Sequence, residues 1–119
     1  MTYEINSTED ISEEFLMKLL CTVGEAKSSF MQALLEARKG NLTLVQELMD
    51  NGDNVLAEVH KAQTGLIGFD EGTGKVTMTL ILTHIQDHIM TTMLCRDLAV
   101  EIIELRKELK GYYVEKKNI

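Results

Sequence analysis

The chain has 119 residues, with 12 Lys+Arg against 19 Asp+Glu, and a formal charge of −7 with neutral histidines. That balance argues against nonspecific binding to nucleic acid or to an anionic lipid surface. With three Phe, three Tyr and no Trp, one small domain spanning 1–119 has to build its core from Leu, Ile, Val, Met and Ala, and such a core gains from self-association. No stretch of about 18 apolar residues occurs, and the acidic opening MTYEINSTED lacks the basic-then-apolar layout of a signal peptide, so the chain reads as soluble and cytoplasmic. Cys21 and Cys95 are far apart and flanked by apolar residues, which reads as two buried small hydrophobes in a reducing compartment.

Without proline, the eight glycines supply most of the punctuation. A first helix is expected over about 10–39: Ile11, Phe15, Leu19, Val23, Ala26, Phe30, Leu34 and Ala37 recur at three- and four-residue steps, Asp10 and Glu13 form a capping box, and Arg38-Lys39-Gly40 closes it. A second is expected over about 41–67, carrying Leu42, Val45, Leu48, Met49, Val55, Leu56, Val59, Ala62 and Leu66. Asn51-Gly52 is its weak point, because that dipeptide favours a turn. GLIGFDEGTG then reads as a flexible link; it lacks the closing Gly-Lys-Ser/Thr of a phosphate-cradling loop.

The third helix is expected over about 75–110, before Gly111, and would be on the order of 50 Å long, too long for a compact monomer. At its start, Val76, Met78, Leu80 and Leu82 alternate with threonines as in a half-buried strand, which leaves helix and strand open there. Further on, apolar residues cover well over half its circumference, more than two neighbouring helices can bury.

On that helix Leu80, Asp87 and Leu94 fall at heptad spacing with Leu98 and Leu105 beside them, which sets a lone carboxylate in an apolar seam. Were the seam to pack against its own copies, the converging Asp87 side chains would protonate, repel or share a hard cation such as magnesium, with water completing its shell; an ordinary ion pair within one chain or an exposed seam edge is the alternative. His84 and His88 lie one turn apart beside this stripe. The pair fits a two-histidine zinc site without an evident third ligand, a structural pair, or a phosphoryl-accepting nucleophile with a helper. Spacing leaves the three open.

The segment Gln63-Thr64-Gly65-Leu66-Ile67, followed by His84-x-Gln86-Asp87-His88-Ile89-Met90-Thr91 and by Leu94-x-Arg96-Asp97-Leu98-Ala99-x-Glu101-Ile102-Ile103-Glu104-Leu105, resembles the lactose/cellobiose class of IIA components of the bacterial sugar phosphotransferase system. The resemblance implies an all-α, antiparallel three-helix subunit with a long third helix, assembled as a homotrimer around the third helices, with the region near Val76 helical. It implies that His84 is the phosphorylated residue and that three copies of Asp87 share a divalent metal ion. His88, Gln86 and Gln63 match motif positions near the phosphoryl site, and His60 matches a position in the second helix, where a plain surface or core histidine is the simpler reading. Ile85 departs from the small residue usual after the active histidine, and its bulk bears on the packing beside His84 or on the subunit contact.

The implied activity is that of a covalent phosphohistidine carrier. It takes the group from the carrier HPr and gives it to a cysteine of the IIB component, which serves a IIC permease for a β-linked disaccharide, with no nucleotide and no nucleic acid involved. The loop from Asp70 to Lys75 leans toward the cellobiose or chitobiose branch over lactose. Imidazole titrates near pH 6.5 in model peptides, which suits a nitrogen nucleophile at cytoplasmic pH. The rival readings are a non-enzymatic helical adaptor, a two-component histidine phosphotransfer domain with an aspartate acceptor and, more remotely, a zinc hydrolase.

Overall fold

Amphipathic periodicity sets the architecture: three long helices, α1 (Glu13–Lys39), α2 (Leu42–Asp70) and α3 (Leu80–Lys117), follow a short 3-10 turn at Thr8–Asp10. The computed structural model describes residues 4–117, with side-chain surroundings for residues 4–111, and no strand occurs among the described residues. The chain forms a rod of 66 × 23 × 20 Å.

The helix ends follow local chemistry. Ser12, not Asp10, caps α1: its Oγ accepts the Phe15 amide at 3.1 Å. Asp10 instead closes the preceding turn, accepting the amides of Asn6 at 2.8 Å and Ser7 at 3.1 Å. At the far end Gly40 takes the left-handed conformation (φ 88°) that α1 needs to stop. Asn41, at the α2 start, turns its amide to the buried Glu36 carboxylate at 2.6 Å, and this bond is the first cause of a carboxyl held below its ordinary range.

Asn51-Gly52 does not interrupt α2. A helix passes through because glycine is what the packing requires: a Cβ at Gly52 would overlap the Phe30 ring, whose Cδ1 and Cζ would lie 2.8 Å away. Ser29 donates to the Leu48 carbonyl at 2.6 Å and accepts from Asn51 at 3.2 Å, which holds the two backbones close.

The link after α2 is shorter than the glycine pattern suggests. α2 runs through Gly65 and Gly68 to Asp70 rather than ending near 67, and residues 71–79 alone form the connection. Asp70 organises it: its carboxylate accepts the Val76 amide at 2.8 Å, and this and other loop amides lower its pKa. Residues 75–79 are neither helix nor strand, so the expected helical start near Val76 is corrected to Leu80, where the Thr79 hydroxyl accepts the Leu82 amide at 3.2 Å. At the other end Gly111 does not stop α3, which continues to Lys117.

Two clusters make the core. Leu19 and Val23 of α1 pack with Val59, Ala62 and Leu66 of α2 and with Leu82, Ile85 and Ile89 of α3. Ala26, Phe30, Ala33 and Ala37 pack with Val45 and Met49 and with Ala99 and Ile103. Thus the beginning of α1 meets the end of α2 and the beginning of α3, while the end of α1 meets the beginning of α2 and a later part of α3. Ile85 is fully buried in the first cluster, so its bulk fills the chain's own core and leaves the outer face of α3 unchanged. Of the two cysteines expected to be buried, Cys21 is exposed and Cys95 half-buried.

Candidate functional site on the outer face of the third helix

At 100° per residue, Leu82, Ile85, Ile89 and Thr92 turn to one side of α3 and are buried, and this fixes what faces away. The row Leu80, His84, Asp87, Thr91, Leu94, Leu98 and Leu105 is exposed along its whole length. Leu80 is 88% exposed and Leu94 58%, and with Leu98 and Leu105 they line up as an apolar row of the kind that marks an interaction surface. Asp87 therefore stands in an apolar stripe, and His84 stands one turn before it.

The imidazoles of His84 and His88 have centroids 6.1 Å apart and planes tilted by 37°, too far to bond to each other. His84 is exposed and His88 half-buried. Behind His88, the hydroxyl of the fully buried Thr92 lies 3.4 Å from Nδ1. Thr92 carries no motif signature and sequence reading passed over it; its place four residues after His88, on one helix face, was the available signal.

Gln86 lies about 200° around the helix from His84 and turns toward α2. There Gln63, only 9% exposed, donates to its carbonyl oxygen at 3.0 Å and sits 3.7 Å from the Met90 sulfur. Within one chain, then, Gln63 and Gln86 form a tie between α2 and α3 on a different side from His84. Beside this tie is a largely apolar depression of about 340 Å³, bordered by Leu66, Ile67, Val76, Met78 and Leu82. His60 is exposed on α2 and borders a shallow depression with Asp53, Lys61 and Met93, away from His84.

A second tie missed by sequence reading joins Arg96 to Asp53, with Nε donating to Oδ1 at 2.9 Å and Nη2 to Oδ2 at 3.4 Å. The Asp53 hydrogen bonds, ahead of its charge, raise the pKa of the guanidinium further.

Among the described residues no three His, Cys, Asp or Glu side chains of one chain gather to hold a metal ion. Asp87 offers one carboxylate per chain, an oxygen donor suited to a hard cation only when other copies add theirs. No helix among the described residues is long and apolar enough to cross a membrane.

Comparison with known proteins gives a consistent result. Residues 14–107 match the family model for the lactose/cellobiose-specific IIA subunit of the phosphotransferase system. The chain is 43% identical over 99 residues, 83% of its length and 85% of the relative's, to the N,N'-diacetylchitobiose-specific EIIA component of Escherichia coli K12. It is 33% identical over 90 residues, 76% of its length and 87% of the relative's, to the lactose-specific EIIA component of Staphylococcus aureus N315. Among solved structures, the cellobiose-specific enzyme IIA of Bacillus anthracis superposes with a TM-score of 0.76 at 34% identity, over 83% of this chain and 91% of that one. The chitobiose IIA of Escherichia coli, solved in complex with HPr, superposes with a TM-score of 0.72 at 42% identity, over 82% and 95%. A buried face that builds the bundle, an uncovered face that carries His84 and Asp87, and a match across most of the chain lead to one conclusion: this protein belongs to the lactose/cellobiose-specific IIA family of the sugar phosphotransferase system.

Proposed function

We propose that the chain is a phosphohistidine carrier that accepts a phosphoryl group on His84 from phospho-HPr and delivers it to a cysteine of its IIB partner. The observation that carries this reading is the exposed imidazole of His84 on the uncovered face of α3, where a protein donor can reach it in line. The unprotonated Nε2 of His84 attacks phosphorus as the nitrogen–phosphorus bond of the donor breaks and its electron pair returns to the donor imidazole. In the second transfer a cysteine thiolate of IIB attacks the same phosphorus and the His84 nitrogen takes back its pair. Positioning of the two reactants supplies most of the acceleration in such exchanges, and no nucleotide is needed. Leu80 and Ile81, exposed next to His84, form the apolar rim on which both partners dock in turn.

In this reading three antiparallel three-helix subunits join through the outer row of α3 as a cytoplasmic homotrimer, with Leu94, Leu98 and Leu105 covered. The three Asp87 carboxylates then converge and hold a divalent ion, of which magnesium fits oxygen ligands best. Such an ion would offset the charge of the acids and of the nearby phosphoryl groups. The 43% identity to a chitobiose component, against 33% to a lactose component, favours a β-linked disaccharide of the chitobiose or cellobiose kind, imported by the IIC permease that the IIB partner serves.

The test is reconstituted transfer from phosphoenolpyruvate through enzyme I and HPr. Wild-type protein should take up one acid-labile phosphate per chain, and His84→Ala, still folded, should take up none. Undiminished labelling of His84→Ala rejects the assignment. Absence of label on wild type would favour an adaptor, and discharge to a receiver aspartate in place of IIB would make it a two-component phosphotransfer domain.

A further inference from the structure

We infer that Thr92 is a positioning residue for the transfer: its buried hydroxyl holds Nδ1 of His88, so that His88 presents Nε2–H as a donor toward a phosphoryl group on His84. The inference rests on the carrier reading of His84, but the contact itself belongs to this chain's own geometry.

A threonine inside a helix normally turns its hydroxyl to the carbonyl four residues back. Thr22 does so, donating to the Lys18 carbonyl at 2.8 Å, and Thr83 to the Thr79 carbonyl at 2.9 Å. Thr92 is different. The carbonyl of His88 takes the Thr91 hydroxyl at 3.1 Å, while the Thr92 hydroxyl faces the His88 ring at 3.4 Å. Thr92 is fully buried, and no buried side-chain nitrogen or oxygen among the described residues lacks a partner. A buried hydroxyl left without an acceptor is costly, so its proton goes to the one acceptor within reach, the lone pair of Nδ1. A neutral imidazole that accepts at Nδ1 carries its proton on Nε2.

That nitrogen is the one Thr92 does not engage, and His88 as a whole is only half-buried. The 6.1 Å between the centroids of His84 and His88 admits a phosphoryl group on one ring with an oxygen directed at the other. Thr92 thus acts two steps from phosphorus. It fixes the tautomer and the rotation of His88, and His88 meets the oxygen. No charge need be buried, because a neutral donor does the work.

The experiment compares Thr92→Val, close to isosteric but without a hydroxyl, with Thr92→Ser, which keeps it. Long-range proton–nitrogen NMR of the full chain at pH 8.5 reads the His88 Nδ1 resonance. Wild type and Thr92→Ser should share a hydrogen-bonded position, and Thr92→Val should move toward free neutral imidazole. Labelling of His84 by phospho-HPr should slow about fivefold in Thr92→Val, the worth of one ordinary hydrogen bond, and recover in Thr92→Ser. In a His88→Ala background, Thr92→Val should add nothing. Labelled wild type with an unmoved Nδ1 resonance, or an equal loss in both backgrounds, overturns the assignment of Thr92; a wild type that takes no label overturns the carrier reading itself.

Discussion

Gly52→Ala should destabilise the protein although alanine is the better helix former. In an open helix the exchange gains roughly 1 kcal/mol, and Gly24, inside α1 with nothing within 4 Å of an added Cβ, is the matched control. At Gly52 the methyl would overlap Cε1 of Phe30 and stand 2.8 Å from Cδ1 and Cζ, so either the ring or the helix must give. The ring has nowhere to go: Phe30 is fully buried against Ala26, Ala33, Val45 and Met49. Overpacking of this kind costs about 1–3 kcal/mol, which exceeds the gain in propensity. Urea unfolding followed by circular dichroism, at one fixed protein concentration because association adds to stability, should place the midpoint of Gly24→Ala above wild type and that of Gly52→Ala below it. Adding Phe30→Leu to Gly52→Ala should remove the penalty of the alanine, even though Phe30→Leu alone is destabilising. If Gly52→Ala gains as much as Gly24→Ala, the close approach of α1 and α2 is not what keeps glycine at this position.

Two further predictions concern charge. Asp87→Leu should leave the subunit folded and associated while abolishing bound divalent cation, since an apolar residue in that stripe removes the repulsion along with the ligand; metal analysis with light scattering reads both, and a full complement of metal in the variant would place the site elsewhere. The Glu36 carboxyl, held below its ordinary value of 4.5 chiefly by Asn41, stabilises the fold above the unfolded pKa, and that contribution disappears as pH falls through the lower folded value. The wild-type urea midpoint should therefore drop more between pH 6 and pH 3 than that of Glu36→Gln, and parallel curves would show that this cap does not report on folding.

Helix number, helix phase and the position of the seam were legible in the sequence because each follows from a repeated apolar spacing. The same phase that buries Ile85 and Ile89 sends His84 and Asp87 outward. The errors fall where a single side chain overrides a pattern. Thr79 offers its hydroxyl to the Leu82 amide and so caps α3 at Leu80, against both the strand-like alternation and the resemblance that favoured helix near Val76. Asn51-Gly52, a turn signal by itself, is helical as the expected second helix requires, and its glycine leaves room for a ring from another helix. Gly111 stops nothing, since one glycine in a long helix costs only about 1 kcal/mol. At the site, the sequence grouped Gln63 with His84, Gln86, Asp87 and His88, but only tertiary structure separates His84 and His88 from the pair Gln63–Gln86, or shows Thr92 behind His88.

The shape of the subunit ties assembly to chemistry. A compact chain of this length has a radius of gyration of about 13–14 Å, whereas this rod has 18.3 Å. Three helices of such length meet only along their mutual seam, and α3, the longest, keeps an apolar row that no neighbour within the chain covers. His84 and Asp87 occupy that row between Leu80 and Leu94, so in the proposed trimer the surface that joins the subunits also carries the phosphoryl group. Each phosphorylation adds about 1.5 to 2 negative charges close to converging carboxylates in a protein already at −7. Repulsion on that scale works against the contact that the leucines make. In the proposed trimer the apolar row would hold the subunits together through each cycle of charging and discharge, a role that its run past the site to Leu98 and Leu105 suits.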